Sequence, residues 1–441
     1  MNDNLPLGGA CGPQSICTLP GPRWRTRLAA VLAVSLGLPS LPAGAITLGE
    51  LVRQAAFNNP AAVARQRAVE AAADSISSAR WQFFPTPSVS VERAGMTNAR
   101  DVSYNGDDTV VTLRLQQTLW SGGRLTAQLE QAGHNHQSAE QALREQRFRL
   151  AEQVISQYSL WVRSDLASEA NQKNLKALED FLAQSQRREK EGAAARVDVT
   201  LVRGRRDQAL TDLLAAKASR QSARLQLEQL VGLPLSDEQL RADVTRVAVS
   251  EDLPMLTESM LQSSPLLMRL RADAKVQESA IQIRNAAYWP EVYARVEHQR
   301  GNFSVPHLPS ANRAFIGMQM QLGAGLSLGS EVSAAQGRYQ AALLAVDAAR
   351  LEQISQIAAT YTEYQQAEAR ARNLEEVALS AEEVLASYNR QYLSGRRSWL
   401  DVMNAVREVV QTDLQKSDVI AMIIANGRKL QLWAYGLDQV R

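Results

Sequence analysis

From Arg124 to Lys190 the chain runs without a proline and with a single glycine, Gly133; it does so again from Glu331 to Ser394, with only Gly337. At about 1.5 Å of rise per residue, each stretch makes a helix roughly 100 Å long. No compact domain contains such a rod, so the chain builds something elongated. Along the first stretch apolar residues return every three, four or seven positions: Leu143, Leu150, Val154, Tyr158 and Trp161, then Leu175, Leu178 and Leu182. This is a narrow seam that fits a neighbouring helix, not an all-round apolar surface. A break follows at Gly192 and at Gly395. A shorter helix then returns, over Val197 to Val231 and Trp399 to Ala434.

The two rods belong to two copies of one pattern. Asn59-Pro60 and Ser264-Pro265 lie 205 residues apart, as do Pro85 and Pro290, and Val91-Glu92 and Val296-Glu297. Gly192 with Val197-Asp198-Val199 returns 203 residues later as Gly395 with Leu400-Asp401-Val402. Leu230-Val231-Gly232 has its counterpart in Ala434-Tyr435-Gly436. A nearly constant offset in an unchanged order reads as a tandem duplication. The halves are 46–233 and 252–436, with a connecting segment at 234–251 and a short tail at 437–441.

Each half opens with a helical stretch, in the first half Leu48 to Phe84, which Pro85 stops because it cannot donate the helix bond. Two alternating segments follow. Val89 and Val91 alternate with Ser88, Ser90 and Glu92; Val111, Leu113 and Leu115 alternate with Thr112, Arg114 and Gln116. After Pro290, Val292, Ala294 and Val296 alternate with Tyr293, Arg295 and Glu297; Ile316, Met318, Met320 and Leu322 alternate with Gly317, Gln319 and Gln321. Strict alternation gives a strand one apolar and one polar face. Segments of about 9–11 residues span a bilayer when tilted. Four strands cannot close a barrel, and open edges are not tolerated in lipid, so several copies must share one barrel. A small sheet packed on helices is the soluble alternative, with the protein acting as a periplasmic coiled-coil scaffold or adaptor. The polar linkers Gly95–Asp108 and Gly301–Asn312 join strands that start at the helix ends; with the strands in an outer membrane and the helices in the periplasm, the linkers are expected at the cell surface.

Arg23, Arg25 and Arg27 precede the apolar run Leu28 to Leu38, and Ala43-Gly44-Ala45 supplies small residues for cleavage. Together they read as a signal peptide over residues 1–45. Its removal takes three of 48 basic residues and one of 46 acidic ones, leaving no formal net charge. Such a balance does not indicate a nucleic-acid partner. Both cysteines, Cys11 and Cys17, go with it, so the mature chain has no thiolate ligand for a metal and no cysteine for a lipid anchor. No stretch of 18 or more apolar residues marks a membrane helix.

The prolines at the helix-to-strand junctions, Gln117-Thr118-Leu119-Trp120-Ser121-Gly122-Gly123-Arg124 after the second strand, and the turn motifs Gly192 to Asp198 and Gly395 to Asp401 together resemble the TolC family of outer-membrane channels. The resemblance covers the whole mature chain. It implies an α+β membrane protein: a homotrimer whose 12-stranded outer-membrane β-barrel, four strands per protomer, continues into a long periplasmic α-helical barrel in a Gram-negative bacterium. It implies a passive exit duct in a tripartite export system. The partners would be outer-membrane lipid, a periplasmic adaptor (membrane fusion) protein and an inner-membrane ABC or RND transporter. The run Ser394 to Glu408 resembles the branch serving type I protein secretion; drug or small-molecule efflux is the alternative. By the same resemblance, Gly192, Val197, Asp198, Gly395, Ser398, Leu400 and Asp401 form the adaptor-docking tip. Asp401 and Asn404 form the tunnel constriction, and Asp198, Tyr392 and Arg397 the gate network.

No sequence pattern for catalysis competes with this. His134 and His136 are two apart on a helix and point to different sides, so they do not chelate one metal. There is no phosphate-loop or dinucleotide fingerprint and no serine–histidine context. The charge run Arg187-Arg188-Glu189-Lys190-Glu191 reads as a solvated helix face. No cofactor and no enzymatic activity are expected.

Overall fold

The structure, a computed structural model, describes residues 46–95, 106–240, 242, 248–249, 251–321, 323 and 327–437. The leader read at 1–45, most of the Gly95–Asp108 linker, part of the connecting segment and nearly all of the tail lie outside the described residues.

Helix α1 (Leu48–Asn58) starts at a capping box: Thr47 Oγ1 accepts from Glu50 N at 3.3 Å while Glu50 Oε2 accepts from Thr47 N at 2.9 Å. The sequence suggested one helical stretch from Leu48 to Phe84. The structure divides it, with α2 occupying Pro60–Trp81. The reason is local: Pro60 suits the first position of a helix and pushes Asn59 out of the helical region, to ψ 135°. Asn59 Oδ1 then caps α2 by accepting from Ala61 N at 2.9 Å. Ser264 and Pro265 make the same joint between α5 (Leu253–Ser263) and α6 (Pro265–Ala286).

Strands β1 (Thr86–Arg93), β2 (Thr109–Trp120), β3 (Glu291–Arg300) and β4 (Ala311–Gln319) form one antiparallel sheet in the order β1-β2-β3-β4. The alternation read through Leu322 ends earlier, since β4 stops at Gln319. The sheet joins the halves through its centre, where Leu113 pairs with His298 and Arg114 with Glu297. Strands β1 and β4 remain open edges.

The rods are α3 (Arg124–Lys190) and α7 (Leu328–Leu393); the returning helices are α4 (Arg196–Val231) and α8 (Trp399–Tyr435). They lie side by side as α4, α3, α8, α7. Helix α2 packs on α3, and α6 packs on both α3 and α7. The element order of the first half, two short helices, two strands, a rod and a returning helix, recurs in the second.

Every residue of the apolar seam read from α3, Leu143 through Leu182, is buried. The seam feeds two cores. One lies along the middle of the rods, where Trp161, Ile155, Leu51, Leu227, Ile357 and Leu430 have almost no exposed surface. The other lies toward the turns, around Phe181, Val202, Leu213, Tyr392 and Val406. The connecting segment is tied to the first half: Ile46 N donates to Gln239 O at 3.0 Å, and Arg220 bridges Asp165 at 2.7 Å and Asp237 at 3.4 Å. Among the described residues Trp161 is the largest side chain with no exposure. Trp161→Ala is expected to cost about 3–5 kcal/mol in urea unfolding of the detergent-solubilised protein. A loss below about 1 kcal/mol would remove Trp161 from the working core.

Candidate functional site: the amphipathic sheet and the helix turns

The register sorts the strand residues into two faces. One carries Val89, Val91, Leu113, Leu115, Val296, Ile316 and Met318, all exposed large apolar side chains. The other carries Ser88, Ser90, Thr112, Arg114, Gln116, Arg295, Glu297, Gln299 and Arg313. An exposed apolar sheet face has no reason to exist in water, but it fits lipid. At the helix end of the sheet stand Trp81, Phe84, Trp120, Tyr288 and Trp289, each more than 40% exposed. Trp120 and Trp289 meet edge to face at 6.1 Å. Exposed aromatics at this level make an interfacial girdle. From Trp289 to His298 a strand rises roughly 30 Å, which a tilt of about 40° reduces to the ~25 Å of an outer-membrane apolar band. No helix among the described residues is long and apolar enough to cross a membrane.

At the opposite end of the sheet, Asp107 fastens the β3–β4 turn. Its carboxylate accepts from Asn302 N at 3.0 Å and His307 N at 3.2 Å, while Asp107 N donates to Asn302 O at 2.7 Å. These backbone donors hold its carboxyl below the usual range. A depressed carboxylate pKa adds stability above its ordinary value, near 4, and loses it as pH falls through the native value. Proteolysis within 301–310 on intact cells is therefore expected to rise below about pH 4, and Asp107→Ala to raise it at neutral pH. Equal cleavage of variant and wild type at pH 7 would contradict the fastening role.

The far ends of the rods turn on Gly192 at φ 74° and Gly395 at φ 76°. Each turn closes α3 or α7 with a pair of backbone bonds. Ala193 N donates to Arg188 O at 2.7 Å and Gly192 N to Glu189 O at 3.0 Å; Arg396 N donates to Gln391 O at 2.9 Å and Gly395 N to Tyr392 O at 3.0 Å. Left-handed φ at the end of a helix is the conformation glycine adopts without penalty. Ser398 Oγ accepts from Leu400 N at 3.2 Å to start α8, whereas Ala195 starts α4 with no side-chain cap. Asp198 and Asp401 sit in the first turns, where a carboxylate suits the helix dipole. Val197 and Leu400 are more than half exposed at these turns. Beside them a groove of about 520 Å³ runs between α3, α4 and α8, lined by Leu178, Leu201, Arg205, Trp399, Met403 and Asn404 among others.

Asp198, Tyr392 and Arg397, expected as a gate network, do not meet in a single protomer. Within one protomer Asp198 bonds neither Tyr392 nor Arg397. Arg397 Nη1 instead lies 3.4 Å from Asp401 Oδ2 one turn along, and its guanidinium covers the Tyr388 ring at 4.2 Å. Asn404 Oδ1 accepts from Arg407 Nη2 at 3.1 Å. Tyr392 is buried against Phe181, with ring centres 5.1 Å apart. Its partner is Arg188, which donates from Nη1 to the Tyr392 carbonyl at 3.0 Å and stacks on its ring at 4.6 Å. The sequence places Arg188 in a solvated charge run, whereas the structure has it join the end of α3 to the end of α7. The reason is geometric: side chains three and four residues apart project from one flank of a rod, and the neighbouring rod decides which of them is covered.

Among the described residues no group of three or more His, Cys, Asp or Glu side chains is placed to hold a metal ion. Within α3, His134 lies 3.5 Å from Gln137 and His136 lies 4.0 Å from Glu140.

An amphipathic sheet of bilayer height on a bundle of rods defines a protomer of an outer-membrane channel. The profile of the outer membrane efflux protein family matches residues 51–233 and 256–427, and the chain belongs to that family. Solved structures agree in fold. The outer-membrane protein VceC from Vibrio cholerae aligns over 88% of this chain and 96% of its own, at 17% identity and TM-score 0.74. A membrane protein from Pseudomonas aeruginosa aligns over 87% and 92%, at 18% identity and TM-score 0.75. The MtrE outer-membrane channel of Neisseria gonorrhoeae, in its open state, aligns over 88% and 89%, at 16% identity and TM-score 0.72. No curated protein matches the sequence. The protein is an outer-membrane one that extends into the periplasm. Proteins of its family are trimeric and work with adaptors and inner-membrane transporters.

Proposed function

We propose that three copies of this chain close into one tube that serves as the outer-membrane exit duct of a tripartite export system. The observation that carries this is the pair of open edges on each layer. The sheet ends in β1 and β4, and antiparallel alternation lets β4 of one copy pair with β1 of the next. Three such sheets of four strands make a closed barrel of twelve. The helix wall ends in α4 and α7. Helix α4 exposes Val197, Leu201, Leu210, Leu214 and Leu225; α7 exposes Leu344, Leu351, Val377 and Val384. The two pairs in α7 are seven residues apart, the spacing of a coiled-coil seam awaiting a partner. Head-to-tail contacts of this kind close into a ring. The two halves of the chain would then supply the ring with six similar units, as a tandem duplication does.

The turns at Gly192 and Gly395 are the docking tip for a periplasmic adaptor. Val197, Leu400 and the neighbouring groove offer apolar surface; Asp198, Asp401 and Ser398 offer polar contacts. The tip is the closed end of a passive channel, with Asp401 and Asn404 at its constriction. We assign protein cargo, through type I secretion with an ABC transporter, on the run Ser394 to Glu408. The efflux family supports the alternative of small molecules and an RND transporter. The first test is the assembly. Outer-membrane fractions should give a heat-modifiable band of three chain masses. A cysteine pair placed on α4 at Leu214 and on α7 should cross-link between chains, since the only native cysteines lie at positions 11 and 17. A monomer in the membrane fraction would overturn the ring. Affinity capture of the intact assembly should bring down an ABC transporter rather than an RND one, and the reverse would decide for efflux.

A further inference from the structure

The polar sheet face carries an uneven charge pattern that the duct reading does not use. Two neighbouring rows cross it: Ser88, Arg114, Glu297 and Arg313 in one, Thr86, Gln116, Arg295 and Phe315 in the other. These rows hold three guanidiniums and one carboxylate. Glu297 is 8% exposed and lies beneath two of the cations, 2.7 Å from Arg114 Nε and 3.0 Å from Arg295 Nε. Arg114 and Arg313 remain exposed above it. Each cation is held. Arg295 is stacked against Phe315 at 4.6 Å and flanked by Tyr293 at 5.8 Å. Arg313 Nη1 donates to Gln299 Oε1 at 3.2 Å. Gly317 leaves the space that the Tyr293 ring occupies, since a Cβ there would come within 2.6 Å of it. Elsewhere on the face Glu291 is compensated by Arg124 at 3.0 Å, and a lone carboxylate, Glu92, sits opposite Val110 nearer the strand ends. The positive surplus lies in these two rows alone.

We propose that this level is an anion-binding belt in the barrel lumen, which takes solutes bearing phosphate or carboxylate groups. The proposal rests on the duct reading, which turns the apolar face to lipid and the polar face inward. A surplus of two positive charges per chain becomes six around a ring of three. Guanidinium forks match phosphate and carboxylate oxygens in pairs. A ring of arginines makes the corresponding part of a channel favour anions. Glu297 orients the Arg114 fork and lowers the charge of the belt, so binding is reversible and cargo can leave. Anionic cargo thus meets its last favourable contact next to the exit.

The test uses inorganic tripolyphosphate titrated calorimetrically into the detergent-solubilised trimer at about 50 mM salt, where the ~14 Å screening length leaves the belt's field effective. Wild type should bind, and weaken as salt is raised. R313Q leaves both Glu297 ion pairs intact and should weaken binding severalfold; R114Q/R313Q should weaken it at least about tenfold. E297Q should tighten it, a sign that loss of structure or binding elsewhere on the surface would not give. An intact trimer that does not bind tripolyphosphate, or that binds it equally in R114Q/R313Q, overturns the belt and leaves the duct standing. Absence of a trimer overturns the duct itself.

Discussion

Replacing Gly192 or Gly395 with a bulky residue is expected to abolish export while leaving trimers in the outer membrane. The structure says why the two readouts separate. Nothing lies within 4 Å of a Cβ built at either position, so a side chain meets no steric wall in the protomer. The difficulty is the backbone: φ near +75° costs an ordinary residue about 1 kcal/mol or more. That strain is small against the two buried cores and acts only at the turn. The turn reshapes or presents a bulky side chain where a partner must seat, and exported cargo should fall to background. Asparagine tolerates left-handed φ better and should retain part of the activity. Trimer yield and cargo in the medium, measured side by side, decide it. Full export by both bulky variants would refute docking at the turns. Loss of the trimer would instead show that the turns are needed for assembly.

Arg188→Ser is expected to raise single-channel conductance in planar bilayers at least severalfold, with trimers intact. The variant removes a charge-assisted bond to the Tyr392 carbonyl and a stacked guanidinium, together roughly 2–4 kcal/mol in a partly buried site. Three copies acting in concert would shift opening by several orders of magnitude. Tyr392→Phe should do little alone, since the carbonyl and an aromatic ring both remain. Arg397→Ser should act differently. Its pair with Asp401 is more than a third exposed on both sides, worth about 0–1 kcal/mol, and its loss leaves the Asp401 carboxylate unopposed. Block by divalent cations should become stronger in Arg397→Ser and weaker in Asp401→Ala. If instead Tyr392→Phe with Arg397→Ser opens the channel and Arg188→Ser does not, the closed state is held across neighbouring chains through Asp198.

Much of the fold was legible because its periodicities are long. The rods read as Arg124–Lys190 and Glu331–Ser394 are α3 and α7 within a few residues, and the seam from Leu143 to Leu182 is buried as its spacing requires. The strand faces were legible for the same reason, since alternation fixes which residues share a side. The break at Asn59-Pro60 is hidden because helix-forming sequence continues on both sides of it, and only the backbone of Asn59 leaves the helical region. The pairings at the two ends were not legible at all. Arg114 meets Glu297 across 183 residues and Arg188 meets Tyr392 across 204. Periodicity tells a residue which way it faces; the neighbouring rod or strand, brought in from the other half, decides what it meets.

The central seam of the sheet also sets a timetable. Each hairpin closes between neighbouring strands of its own half, but β2 cannot find β3 until the second half is there to supply it. Non-local pairings form slowly, because the intervening chain must first be closed into a loop. The rod α3, the returning helix α4 and the joint between α5 and α6 lie inside that loop. Helices form quickly, and the packing of α6 on α3 brings the start of β3 beside the end of β2. The periplasmic part is thus the jig on which the membrane part is assembled. Until β3 arrives, the first hairpin keeps the inner edge of β2 unpaired beside its apolar face.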